Sequence, residues 1–116
     1  MALGPMDFKD TSIKTGTITK ASDVTGDLAN TTCYKKNGMV CVAGRLLNTS
    51  ASADHAIFKV PSGFRPATQT YCAGGARTTG WQLGSICVTA AGDVEFKIST
   101  STADAFVFSA CYPAAD

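Results

Sequence analysis

Lys36-Asn37-Gly38-Met39-Val40-Cys41-Val42-Ala43-Gly44-Arg45-Leu46-Leu47 is the stretch from which the rest of the chain can be read. Asn-Gly accepts the positive φ angles that a tight hairpin turn requires. Beyond it, Val40, Val42, Gly44 and Leu46 fall on one face of an extended strand, and Met39, Cys41, Ala43 and Arg45 on the other. Both rows are largely apolar, so this strand is expected to be covered on both sides, by a second sheet or by another subunit.

A second decisive stretch is Phe58-Lys59-Val60-Pro61-Ser62-Gly63-Phe64-Arg65-Pro66. Ala56, Phe58 and Val60 alternate with Ile57 and Lys59, again the period of a strand. Pro61 removes a ladder donor and ends that strand. Gly63 supplies backbone freedom for a turn, and Pro66 biases Arg65 towards an extended conformation. This is a β-turn-β corner with Phe64 placed to plug a core edge. Arg65 is expected to be structural, pairing with a carboxylate or a strand-end carbonyl.

Outward from these stretches the same period recurs. Residues 13–18 read as a short edge strand, 31–35 as the first arm of the hairpin, and 68–73 as a strand ending at a Gly74-Gly75 bend. Residues 81–89 form another, and Ala91-Gly92-Asp93 turns into 94–98, where Val94, Phe96 and Ile98 alternate with Glu95 and Lys97. Residues 22–28, 48–54 and 99–104 read as loops. The last strand, 105–112, lines up Phe106, Phe108, Ala110 and Tyr112. With about eight short strands and no helical period, the fold is expected to be all-β, a small antiparallel sandwich or barrel of jelly-roll-like form. Residues 13–116 read as a single domain, with 1–12 an expression scar or linker and 7–30 a polar lead-in.

Apolar residues make up 45% of the chain and charged residues 16%, low for the surface of a small monomer, which points to a surface covered by a partner. The net charge is +1 and no basic cluster exceeds Lys35-Lys36, so no nucleic-acid partner is expected. No apolar run is long enough to span a bilayer, and Met1 to Met6 lack the features of a signal peptide. The Asn30 and Asn48 glycosylation sequons therefore carry no weight. Cys33, Cys41, Cys72, Cys87 and Cys111 show no C-x-x-C spacing, and are read as reduced thiols packed as small hydrophobes in a protein made in a reducing compartment. No metal or cofactor is expected.

The order of these motifs carries a resemblance. The hairpin Lys36-Asn37-Gly38-x-Val40-x-Val42-x-Gly44, the corner Val60-Pro61-Ser62-Gly63-Phe64-Arg65-Pro66, and the pair Ile86-x-Val88 with Ala91-Gly92-Asp93-Val94-x-Phe96 resemble the C-terminal receptor-binding head domains of tailed-bacteriophage tail-fibre and baseplate proteins. The similarity runs from about Thr31 to Tyr112; each motif is short, and it is their order and spacing that are specific. The resemblance implies a homotrimer at a fibre or phage tail tip, joined to upstream tail-fibre or baseplate segments. It also implies binding of a saccharide on the host cell surface by a virion protein made in the bacterial cytoplasm. No heptad stem or triple-stranded shaft is visible at the N-terminus, which departs from the pattern. The alternative within the same resemblance is a purely structural trimerisation or connector domain without a receptor site.

Saccharide sites combine an aromatic face with planar donors and carboxylates. Trp81, the one tryptophan, follows a glycine turn; Asp54 and His55 adjoin in the loop before the corner strand, and Arg77 precedes Trp81. If those loops share one end of the sandwich, Asp54, His55, Arg77 and Trp81 form a hydroxyl-binding cluster. The plain alternative is a core or intersubunit contact for Trp81 and solvated loop positions for the others. No pair of carboxylates is placed for glycoside hydrolysis and no nucleophile-elbow pattern is present, so an enzyme is not expected.

Overall fold

The computed structural model describes residues 12–115. The expected all-β architecture is found: ten antiparallel strands form one curled sheet, a half-barrel, with no helix among the described residues. In chain order the strands are β1 (Lys14–Thr15), β2 (Thr19–Lys20), β3 (Asp27–Lys36), β4 (Met39–Leu47) and β5 (Ser52–Lys59). They continue with β6 (Thr70–Arg77), β7 (Trp81–Leu83), β8 (Ser85–Val88), β9 (Asp93–Thr102) and β10 (Ala105–Pro113). Their hydrogen-bonded order is β1-β3-β4-β10-β6-β8-β9-β5-β2, with β7 beside β6.

The count exceeds eight for two reasons. In place of the one edge strand expected at 13–18 stand two short pieces, β1 within that range, paired to β3, and β2 just after it, paired to β5. The strand expected at 81–89 breaks at Gly84 into β7 and β8. The first split corrects the reading of residues 7–30 as a lead-in over 12–30, the part of it that lies within the described residues. β1 and β2 are the two ends of the sheet order, yet only residues 16–18 separate them, so this segment stitches the open edges of the curl together. Ile18 and Val24 are buried in the core behind it.

The Asn37-Gly38 turn forms as expected, with φ of 54° and 78°, and closes the β3–β4 hairpin at Lys36 and Met39. β3 is longer than its legible half. One extra residue between Ala29 and Thr32 makes a bulge, with Asn30 at φ 52°, and pairing resumes from Ala29 back to Asp27. The inner row of β4 (Val40, Val42, Leu46) faces Phe106, Phe108 and Tyr112 of β10, Phe58 of β5 and Phe96 of β9, all buried. Phe58 lies 4.7 Å from Phe108 and Phe96 4.9 Å from Phe106, centroid to centroid. Gly44 leaves room for this stack, since a Cβ there would lie 3.3 Å from the Phe108 ring.

The corner after β5 is held from several sides. Phe64 N–H donates to Pro61 O at 3.2 Å around Gly63 at φ 93°. Arg65 Nε donates to the strand-end carbonyl of Val60 at 2.9 Å, the structural role expected of it. Phe64 packs against the core, and Lys35 caps it with Nζ 5.6 Å from the ring while donating to Gly63 O at 2.8 Å.

One expectation is overturned. Cys41 and Cys111 are not free thiols but a disulfide, joining β4 to β10 where the two residues stand directly opposite each other. Their spacing of 70 residues hides the pairing, which only the β4–β10 register reveals. In the chain-entropy account, closing a loop of that length stabilises the fold by about 4 kcal/mol. Cys33, Cys72 and Cys87 remain free.

Candidate functional site

The four residues singled out from sequence do not form one cluster. Asp54 and His55 lie within β5, not in the loop before it, and neighbours on a strand leave it on opposite sides. Asp54 accordingly reaches Lys97 of β9, at 3.5 Å, while His55 Nε2 meets Asp23 Oδ2 at 2.8 Å.

Arg77 and Trp81 do come together. They face each other across the three-residue loop of the β6–β7 hairpin, where the register pairs Arg77 with Trp81. The Arg77 guanidinium carbon sits 5.7 Å from the Trp81 ring centroid, within cation–π range, and Nε donates to Asp104 Oδ1 at 2.9 Å. Asp104 is fixed in turn by its backbone, whose N–H donates to Arg77 O at 2.9 Å and whose carbonyl accepts from Thr49 N–H at 3.2 Å. Trp81 is about half exposed, with 47% of its surface accessible, so it is neither core nor free of the fold.

Beside this trio lies an open depression of ≈ 380 Å³ lined by Thr49, Ser50, Thr78, Thr102, Ala103 and Asp104. The loops after β4, β6 and β9 meet there. Together these groups offer an aromatic face, a fixed guanidinium, a carboxylate and several hydroxyls. Asp104 and the threonines were not singled out from sequence. Asp104 is 27 positions from Arg77, and nothing in its polar surroundings marks it before the fold brings the two together.

His55 and Asp23 belong to a different place, a groove of ≈ 520 Å³ along the β2–β5 edge. At its other end Lys59 Nζ pairs with Asp93 Oδ1 at 2.9 Å.

No nucleophile is activated among the free cysteines. Burial raises the Cys33 and Cys87 thiols, and it pushes Cys72 up to about 11, leaving little thiolate at neutral pH. Among the described residues no three His, Cys, Asp or Glu side chains gather as a metal site. Comparison of the chain with protein-family models and with curated proteins gives no match.

Proposed function

We propose that the chain is a host-surface binding module of a phage tail fibre or baseplate, working as a homotrimer and recognising a cell-surface saccharide at the Arg77–Trp81–Asp104 end. The observation that carries the saccharide reading is the half-exposed Trp81 braced by Arg77, itself ion-paired to Asp104, which lines a depression rich in hydroxyls. An indole face covers the apolar side of a sugar ring, while the carboxylate and guanidinium take its hydroxyls. The phage assignment rests on the order of the sequence motifs.

A second reading, a trimerisation or connector domain without a receptor site, draws on the exposure of Leu83 (84%) and Tyr71 (73%), which suits a subunit contact as well as a ligand platform. The two are separated by titrating host cell-wall glycan fragments while following the fluorescence of the single tryptophan. The binding module predicts a saturable change, and loss of glycan binding and of cell adsorption in Trp81→Ala with its oligomeric state retained. Adsorption undiminished in Trp81→Ala would place the site elsewhere. Absence of glycan affinity in the unmodified oligomer would favour the connector.

A further inference from the structure

We propose that the groove along the β2–β5 edge is a second binding site, separate from Trp81, for a neutral hydroxyl-rich ligand such as a short saccharide segment. Its size, ≈ 520 Å³, lies within the range of small-molecule sites. Ala21 and Ala56 supply apolar lining, Thr19 and Ser22 supply hydroxyls, and the hydrogen-bonded pair His55–Asp23 and the ion pair Lys59–Asp93 stand among them. On β5 the two pairs are four residues apart, opposite three residue steps of β9 because of the bulge between Ala56 and Phe58, a span of roughly 10 Å at the rise of a strand, longer than one sugar ring.

Charge decides the ligand class. The carboxylates of Asp23 and Asp93 are each matched by a neighbouring nitrogen at 2.8–2.9 Å, and Lys20 Nζ donates to Gly26 O at 2.8 Å. Asp54 and Lys97, the other charged pair on β5 and β9, are bonded to each other. The two lysines of the lining, Lys20 and Lys59, balance its two aspartates, Asp23 and Asp93, so the groove carries no net charge from them to draw in an anion or a cation. A hydroxyl needs none. Each carboxylate has a second oxygen to accept from it, and the Lys59 ammonium has further protons to donate. One pair thus presents a donor beside an acceptor, the arrangement that adjacent hydroxyls on a ring complement.

The test is amide-resolved NMR of the full chain, titrated with maltose, lactose and cellobiose, and in parallel with inorganic phosphate and choline as charged probes. The proposal expects saturable shifts at Ala21, Asp23, His55, Ala56 and Lys59 with at least one disaccharide and none with phosphate or choline. Asp23→Asn and Asp93→Asn should each weaken that binding about tenfold, the scale of one hydrogen bond to a charged group. Asp23 is 64% exposed and Asp93 37%, and Asn keeps the shape of each side chain, so the fold should survive, checked by an unchanged Tm. Trp81→Ala should leave the groove shifts intact, which keeps a failure of the Trp81 site distinct from a failure here. The proposal is overturned if no disaccharide gives saturable shifts in the groove, if a charged probe binds there as well or better, or if both Asn variants bind undiminished.

Discussion

Tyr112 joins the core to the corner: its ring is buried, and its hydroxyl donates to Phe64 O at 2.6 Å. Burial first, then the nearby Cys33 and Cys72, raises its phenol above the ordinary value of 10.0. Burial likewise raises the three free thiols, Cys72 from 9.0 to about 11. The consequence is a stability that depends on alkaline pH. An unfolded chain releases these protons at the ordinary values, while the folded chain holds them to higher pH. Above pH 9.0 the unfolded state therefore binds fewer protons, and stability must fall as pH rises towards about 11, having been flat with respect to Cys72 below that window. Urea midpoints measured across the window should decline, and Cys72→Ala should decline less steeply than the unmodified chain. Equal slopes for the two proteins would show that the Cys72 thiol is not held protonated by the fold.

Strand β6 shows how an element turns one sheet into a half-barrel. Its first half, Thr70 to Cys72, pairs with β8, and its second half pairs with β10 on one side and β7 on the other. Between the halves Gly74 stands across from Gly84, since the β6–β7 and β6–β8 pairings share one register. A Cβ on Gly74 would run into the carbonyl of Val107 and the end of Ile86, and one on Gly84 would lie 2.5 Å from Ile98. Gly74→Ala should therefore destabilise the fold by about 2 kcal/mol or more, because backbone on β10 must move. Gly38→Ala, in open space but at φ 78°, should lose less, through backbone strain alone. Urea unfolding of both variants checks the order, and a Gly74→Ala protein as stable as the parent would refute the close approach. The same glycines show where sequence reading stops. A Gly-Gly pair signals a break, and here it lies inside a strand, because close approach of another backbone selects glycine as firmly as a turn does. β4, the first part of β9 and β10 were legible because one row of each meets the core. The start of β3 and the short β2 were not, and of the edge strand read at 13–18 two residues form as β1, since a bulge or exposure on most sides erases the alternation. Arg77 and Trp81 were found together because a hairpin joins near neighbours. Asp104 and Asp23 were not, as 27 and 32 residues separate them from the side chains they meet.

At the scale of the whole molecule, the outward side of the sheet is unusually apolar. Register places Tyr34 beside Cys41 and Cys41 beside Cys111, then Val107 beside Gly75 and Gly75 beside Leu83, with Trp81 next to Arg77. Tyr71 and Ala73 continue the same row of β6. Small residues thus form much of the middle, with Arg45 beside Val107 the charged exception, and Tyr34, Met39, Tyr71, Trp81 and Leu83 stand exposed around it. The alternation read from β4 leads one to expect a cover on both sides, and among the described residues it is the inner side that has one. A homotrimer would supply the other, with subunits meeting through this face. Mass in solution at micromolar concentration should then be three times that of the chain, and Leu83→Asp and Tyr71→Asp should reduce it to one. Both side chains are mostly solvent-accessible, so monomers of unchanged Tm in urea-free buffer would be read as lost contact and not lost fold. An unmodified chain that is monomeric under those conditions removes the trimer. The response of Trp81→Ala decides the rest: if it stays trimeric, the indole is free for a ligand, whereas if it dissociates, Trp81 is a subunit contact and the saccharide site proposed around it falls.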